Sequence, residues 1–285
     1  VSAPLLLAIG TLICYGISDF VYKRAAVAGV VTHQLMMVQS SLYGIIVLVY
    51  GVATNTLVLN LPSLWGVVAA LFAFTGFYNF AKSLQLGSVS TIAPIFRLSF
   101  TISAALAVAF LGEALTLPKL VGLLLAPIAI WLLLAGPAPA KAIDPKARRT
   151  AILRVIIATC GVGIANFIYK IGLQAGATPA ALLVTQAGAV ITMSTTMVLA
   201  WDGRLPTSGV TWRHAAVSAA LLATGFVLLF EALARGEVSI VVPVAQMGFI
   251  VTALLGVALM REALIGRKVL GIAVALAALV SLALS

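Results

Sequence analysis

The chain has 285 residues, of which 63% are hydrophobic and only 8% charged, and its formal net charge is +10. A soluble domain carries about a quarter charged residues, so this composition excludes a water-covered globule and points to an integral membrane protein. The basic excess does not indicate nucleic acid, because most cations fall in short gaps between apolar runs, where they set topology.

Ten apolar stretches approach the ~20 residues that cross a bilayer. They lie at 3–22, 32–52, 63–83, 88–111, 117–136, 150–172, 179–200, 211–233, 238–260 and 266–284. The first contains "YGISDFVYK" (15–23), where Asp19 and Lys23 stand i, i+4 and are expected to pair. Its end, "AVAG" (26–29), imitates a signal-peptidase site, but no Lys or Arg precedes Lys23, so it is read as a retained helix. The second offers Gln39 and Tyr43 as polar groups inside an apolar span. In the third, "TGFYNFAK" (75–82), Thr75, Tyr78, Asn79 and Lys82 follow i, i+3, i+4, i+7 and share one face, the pattern of a cavity lining.

The fourth stretch carries "PIFRLSF" (94–100), with Arg97 about halfway through the span. A lipid-facing Arg there costs ~2.5 kcal/mol or more, so it must face the protein interior or a watery cavity. Pro94 lacks an N–H and crowds the carbonyl four residues back, so the helix is expected to kink around Ser90. After the fourth and ninth stretches come Glu113 and Glu262, each placed to accept from the amides at the start of the next helix. "GPAPAKAIDPKARR" (136–149) reads as a central linker. In the seventh stretch Gln186 is a further polar group. The ninth contains "PVAQMGF" (243–249), with Pro243 expected to loosen the helix around Ser239 and Gln246 standing where the fourth has Arg97.

That correspondence belongs to an internal repeat. "YGISDFVYK" (15–23) matches "VGIANFIYK" (162–170) at an offset of 147, and "TGF" (75–77) recurs at 224–226, an offset of 149. At the second offset Gly87, Val89, Ser90, Pro94, Phe100, Glu113, Lys119 and Gly122 all meet identical residues. The chain therefore divides into a first five-helix unit (1–138), a linker (139–149) and a second unit (150–285). Five is odd, so the second unit enters the membrane from the opposite side. The expected fold is all-α and integral to the membrane: ten transmembrane helices as two inverted five-helix repeats around a central cavity. Thirteen of the 17 Lys and Arg residues, from Lys23 and Arg24 to Arg267 and Lys268, fall on one side of this arrangement, against Lys119, Lys170 and Arg235 on the other. The first side is expected to be cytoplasmic, with both termini periplasmic.

"FLGEALTLPKLVGLLLAPIAIWLLL" (110–134), its echo "LMREALIGRKVLGIAVALAALVSLAL" (259–284) and "GISDFVYK" (16–23) resemble the EamA family of the drug/metabolite transporter superfamily, including its YddG-type amino-acid exporters. The resemblance implies ten helices in two inverted repeats and a bacterial inner-membrane carrier. It also implies cytoplasmic termini, where the charge distribution of this chain argues the reverse, and the charge distribution is followed here.

Polar features that break the internal symmetry are the better site candidates, because a solute is itself asymmetric. Arg97 pairs with Gln246, Tyr78 with Val227, Asn79 with Leu228, Lys82 with Glu231, and Asp19 with Asn166. The expected substrate-binding set is Arg97, Gln246, Tyr78, Asn79 and Lys82, with Gln39 and Tyr43 added and kinks at Pro94, Pro243, Ser90 and Ser239 beside them. Arg97 would hold a carboxylate, and a side chain would rest on Phe96 or Phe100. A structural tie from Arg97 to carbonyls or a carboxylate is the competing reading. No phosphate loop, no HExxH and no metal-spaced His/Cys cluster occurs. Cys14 and Cys160 read as small buried residues. No cofactor, metal or nucleic acid is expected; the partners are a small solute and the bilayer, and a monomer suffices.

The function expected is export of small metabolites, amino acids foremost, by alternating access. A carrier of another solute or drug, or a non-transporting assembly subunit, is the alternative.

Overall fold

Long apolar runs broken by Gly, Pro and Asn become helices joined by tight turns. The structure is a computed structural model that describes residues 2–86, 95–134, 145–260 and 266–284. In chain order come α1 (Ala3–Val27), α2 (Thr32–Ala53), α3 (Trp65–Leu86), α4 (Ser99–Leu111), α5 (Leu117–Leu134) and α6 (Pro145–Gln174). They are followed by α7 (Pro179–Asp202), α8 (Gly209–Arg235), α9 (Val238–Gln246), α10 (Phe249–Met260) and α11 (Gly266–Ala283). Among the described residues there is no strand.

Local chemistry sets the boundaries. Asn60 and Ser63 form a reciprocal capping box just before α3, each side chain accepting the other's backbone N–H at 3.1 Å. Thr178 caps α7, accepting from the amide of Ala181 at 3.2 Å, and Pro179 takes the first helical position. α7 ends on Gly203, whose φ of 66° suits a residue without a Cβ.

Among the described residues, six stretches are long and apolar enough to cross a membrane: Ala3–Tyr22, Thr32–Ala53, Leu61–Phe80, Arg149–Gln174, Pro179–Asp202 and Gly209–Arg235. Four shorter apolar helical stretches, Ile95–Leu111, Leu117–Leu132, Val238–Val251 and Val269–Ala283, match the remaining runs in the sequence. The outer surface is greasy, with Leu6, Val49, Phe110, Trp131 and Val280 all exposed. Apolar coverage of that extent suits lipid rather than water.

The two sequence halves interlock. α1 packs on α8 and α3 on α6; α2 packs on α7, α5 on α11 and α4 on α9. Residue-level contacts repeat at the offsets of the sequence repeat. A Cβ on Gly16 would lie 2.5 Å from Cβ of Val251, and one on Gly163 would lie 2.7 Å from Cβ of Ile102. Likewise a Cβ on Gly225 would meet Tyr15 and one on Gly76 would meet Val162, each at 2.9 Å. Close backbone approach of this kind is how helices associate where no hydrophobic effect drives them together.

Three expectations change. The central linker is shorter than read from the sequence, because Pro145 opens α6 and residues 145–149 are helical; a proline is well tolerated in a first turn. The ninth stretch does not loosen around Ser239, which lies in the first turn of α9 with Pro243 inside the same helix. It breaks later, at Met247 and Gly248, where Met247 N–H donates to Val244 and Ile250 N–H to Met247, three residues back in each case. The fourth stretch shows the same tightening at the corresponding place, Leu98 donating to Ile95 and Thr101 to Leu98. Both breaks sit where the Gly16 and Gly163 backbones press closest, against Gly248 and Ser99. Pro94 and Ser90 lie outside the described residues. Finally, Glu113 does not cap the next helix. Its carboxylate accepts from the amides of Val238 at 2.7 Å and Ser239 at 2.9 Å, at the start of α9 in the other half. Glu262 also lies outside the described residues.

Candidate functional site

The break before α4 presents Arg97, and the end of α9 presents Gln246. Arg97 Nη1 donates to Gln246 Oε1 at 3.3 Å. The two side chains come from equivalent steps of the repeat, one from each half. Arg97 also forms an ion pair with Asp19 of α1. Asp19 thus has a partner from another helix; the Lys23 side chain, its expected partner, lies outside the described residues. The guanidinium side chain is 12% exposed and the Asp19 side chain 36%, so the pair is reached from the carboxylate side. Gln246 is buried.

Aromatic rings adjoin this pair. Tyr15 precedes Asp19 by one turn on the same face of α1 and lies within electrostatic reach of Arg97. Phe226 of α8 meets both Tyr15 and Tyr43 edge to face, at centroid separations of 5.6 and 5.7 Å. Tyr43 OH donates to Gln186 Oε1 at a long 3.5 Å. Tyr169 of α6 is buried against Phe230, 4.5 Å between centroids, and its hydroxyl makes no hydrogen bond. Asn166, the repeat counterpart of Asp19, likewise buries an amide nitrogen without a partner, as Ser18 and Ser99 bury hydroxyls. Buried polar groups left unpaired are uncommon and call for an explanation. Here four of them fall on α1, α4 and α6, within three residues of Asp19, Arg97 or the Asn166 counterpart position.

The polar stripe of α3 lies elsewhere than expected. Tyr78 and Lys82 meet Trp201 of α7, with ring centroids 5.9 Å apart and the Lys82 ammonium 5.4 Å above the indole. Together with His33, Met36 and Met197 they line a pocket of about 330 Å³ beside the α1–α2 turn. His33 reaches both carboxylate oxygens of Asp202, at 2.9 and 3.0 Å. Asn79 accepts from Arg154 Nη1 at 3.1 Å and donates to the Thr75 carbonyl at 2.9 Å, a tie between α3 and α6. Gln39 accepts from the hydroxyls of Tyr22 and Ser218, joining α1, α2 and α8. Ser239 donates its hydroxyl to Glu113 and belongs to the start of α9, away from the break.

The structure thus brings Arg97 and Gln246 together, keeps Tyr43 on the aromatic wall, and gives Asn79, Gln39 and Ser239 structural ties. Phe96 and Phe100 do not form a free wall: Phe96 is stacked on Phe80 at 4.0 Å and Phe100 is fully buried. Asp19, Tyr15 and Tyr169 are the members that sequence reasoning passed over. The Asp19/Asn166 asymmetry was the available signal. Among the described residues, no three His, Cys, Asp or Glu side chains come together as a metal site.

No curated protein matches the chain. A solved crystal structure of another protein superposes with a TM-score of 0.85 over 99% of this chain and 97% of its own, at 14% sequence identity. At that identity the likeness shows the fold alone. Residues 2–135 match the model of the EamA-like transporter family, so that segment is similar to members of this family.

Proposed function

We propose that the chain is a secondary carrier for small carboxylate-bearing metabolites, amino acids foremost and aromatic ones included, exported across a bacterial inner membrane by alternating access. The observation that carries this reading is the meeting of Arg97 and Gln246 at 3.3 Å beside matching breaks in the fourth and ninth apolar stretches. A buried guanidinium binds a carboxylate with charge-assisted, fork-shaped hydrogen bonds. Broken helices at mid-span are where transporters gather solute-binding groups.

The reading includes two inverted five-helix repeats. It is supported by the repeated glycine contacts and by the exchange of partners between halves, α1 on α8 against α6 on α3. Charge distribution supports periplasmic termini. The two halves can then rock about the Arg97–Gln246 contact and open it to either side in turn.

Counterflow in proteoliposomes tests it. Vesicles loaded with one unlabelled amino acid are expected to accumulate its labelled form saturably, and Arg97→Gln is expected to abolish this while remaining folded in detergent. Accumulation of no carboxylate-bearing solute, or unchanged counterflow in the variant, overturns the reading.

A further inference from the structure

The geometry points to an exchange of ion pairs as the basis of selectivity: Asp19 takes the ammonium group of a zwitterionic solute while Arg97 takes its carboxylate. This rests on the reading of Arg97 as a carboxylate site and adds a second specificity residue with a distinct chemistry.

Three observations carry it. Arg97 already has a carboxylate partner, so the carboxylate of a solute competes with Asp19 for the guanidinium. The Asp19 side chain is the exposed member of the pair, at 36% against 12%, so a ligand arrives at the carboxylate first. And Asp19 is where the repeat is broken, since the second half has Asn166 at that step.

Charge conservation decides which solutes fit. The resting pair is neutral overall. A zwitterion is neutral too, so inserting it replaces one ion pair by two and leaves no charge alone. A monocarboxylate would take Arg97 and strand Asp19, whereas a monoamine would take Asp19 and strand Arg97. Stranding either charge is unfavourable, most of all for the guanidinium, which at 12% exposure would remain desolvated, and less so for the better solvated Asp19. The site therefore discriminates by a penalty against half-matching solutes, beyond any attraction for the right one. The unpartnered amide of Asn166 and hydroxyl of Tyr169 are additional hydrogen-bonding groups on α6.

The test uses matched ligands on the purified full-length chain: L-phenylalanine, 3-phenylpropanoate, which lacks the amine, and phenethylamine, which lacks the carboxylate. Leucine and 4-methylpentanoate form a second pair. Binding is followed by calorimetry and by competition in counterflow. In the wild type the zwitterion of each set is expected to bind at least about tenfold more tightly than its half-matched analogues. Asp19→Asn is expected to weaken the amino acid and strengthen the monocarboxylate, bringing the two together, while Asp19→Glu keeps the preference. A change in this ratio is not what general destabilisation produces. Equal binding of phenylalanine and 3-phenylpropanoate to the wild type, or an unchanged ratio in Asp19→Asn, overturns the exchange and leaves the carboxylate reading standing. No binding by any of the five overturns both.

Discussion

Glu113, in the turn after α4, accepts the backbone amide of Ser239 at 2.9 Å and its hydroxyl as well. With the amide of Val238 at 2.7 Å, one carboxylate satisfies the exposed N–H groups at the start of a helix from the opposite half. Negative charge at that position also complements the helix dipole.

Glu113→Ala leaves those amides without their acceptor and is expected to destabilise the protein by about 2–3 kcal/mol. Glu113→Gln keeps one oxygen acceptor and should cost less. Thermal unfolding in detergent ranks the three proteins, and an alanine variant as stable as the wild type would remove the cap from the account.

Lys119 is 1% exposed, donates to the Ala114 carbonyl at 2.6 Å and pairs with Glu237. Lys119→Met and Glu237→Gln are each expected to destabilise, and the double variant by less than their sum. The coupling should reach about 1 kcal/mol, because the partners share one interaction and the Lys119 end of it is buried, although Glu237 is 46% exposed. Additive losses in the cycle would refute that coupling.

Gly16→Ala drives a methyl group against the Gly248 carbonyl and to 2.5 Å from Val251 Cβ, with backbone on one side that cannot turn away. Overpacking of this sort costs about 1–3 kcal/mol. A Cβ added at Gly188, in α7, would meet nothing within 4 Å, so Gly188→Ala is expected to be neutral or slightly stabilising. Comparing the two midpoints separates contact from generic loss of glycine.

Gln246→Glu puts a carboxylate within reach of Arg97 Nη1, now 3.3 Å from Gln246 Oε1. That internal anion competes with the solute for the guanidinium. The half-saturation concentration in counterflow is expected to rise about tenfold, the worth of a charge-assisted hydrogen bond. An unaltered value would separate Gln246 from the binding step.

The apolar runs were legible because the bilayer demands some 20 consecutive apolar residues, and they map onto helices with ends shifted by a few residues. The Arg97–Gln246 meeting was legible for a different reason: the two residues hold equal positions in the sequence repeat. What the sequence hid was helix rotation. Tyr78 and Lys82 do share a face, but that face turns to Trp201, and only the packing of α3 between α6 and α7 decides it. Partner choice was hidden as well. Asp19 finds Arg97 across helices, a partner that spacing along the chain does not name. Glu113 follows the same pattern, passing over the adjacent α5 for the start of α9.

The crossing of α1 over the α9–α10 break has one further property. At Gly16 and Gly248 backbone lies on backbone, with the side chains of Val251 and Tyr15 close beside it. Interdigitated helices must change rotamers to turn against each other, as gear teeth must disengage. A crossing with so few teeth concentrates the contact at one point, and the same holds for α6 where Gly163 lies on the Ser99 carbonyl beside Ile102.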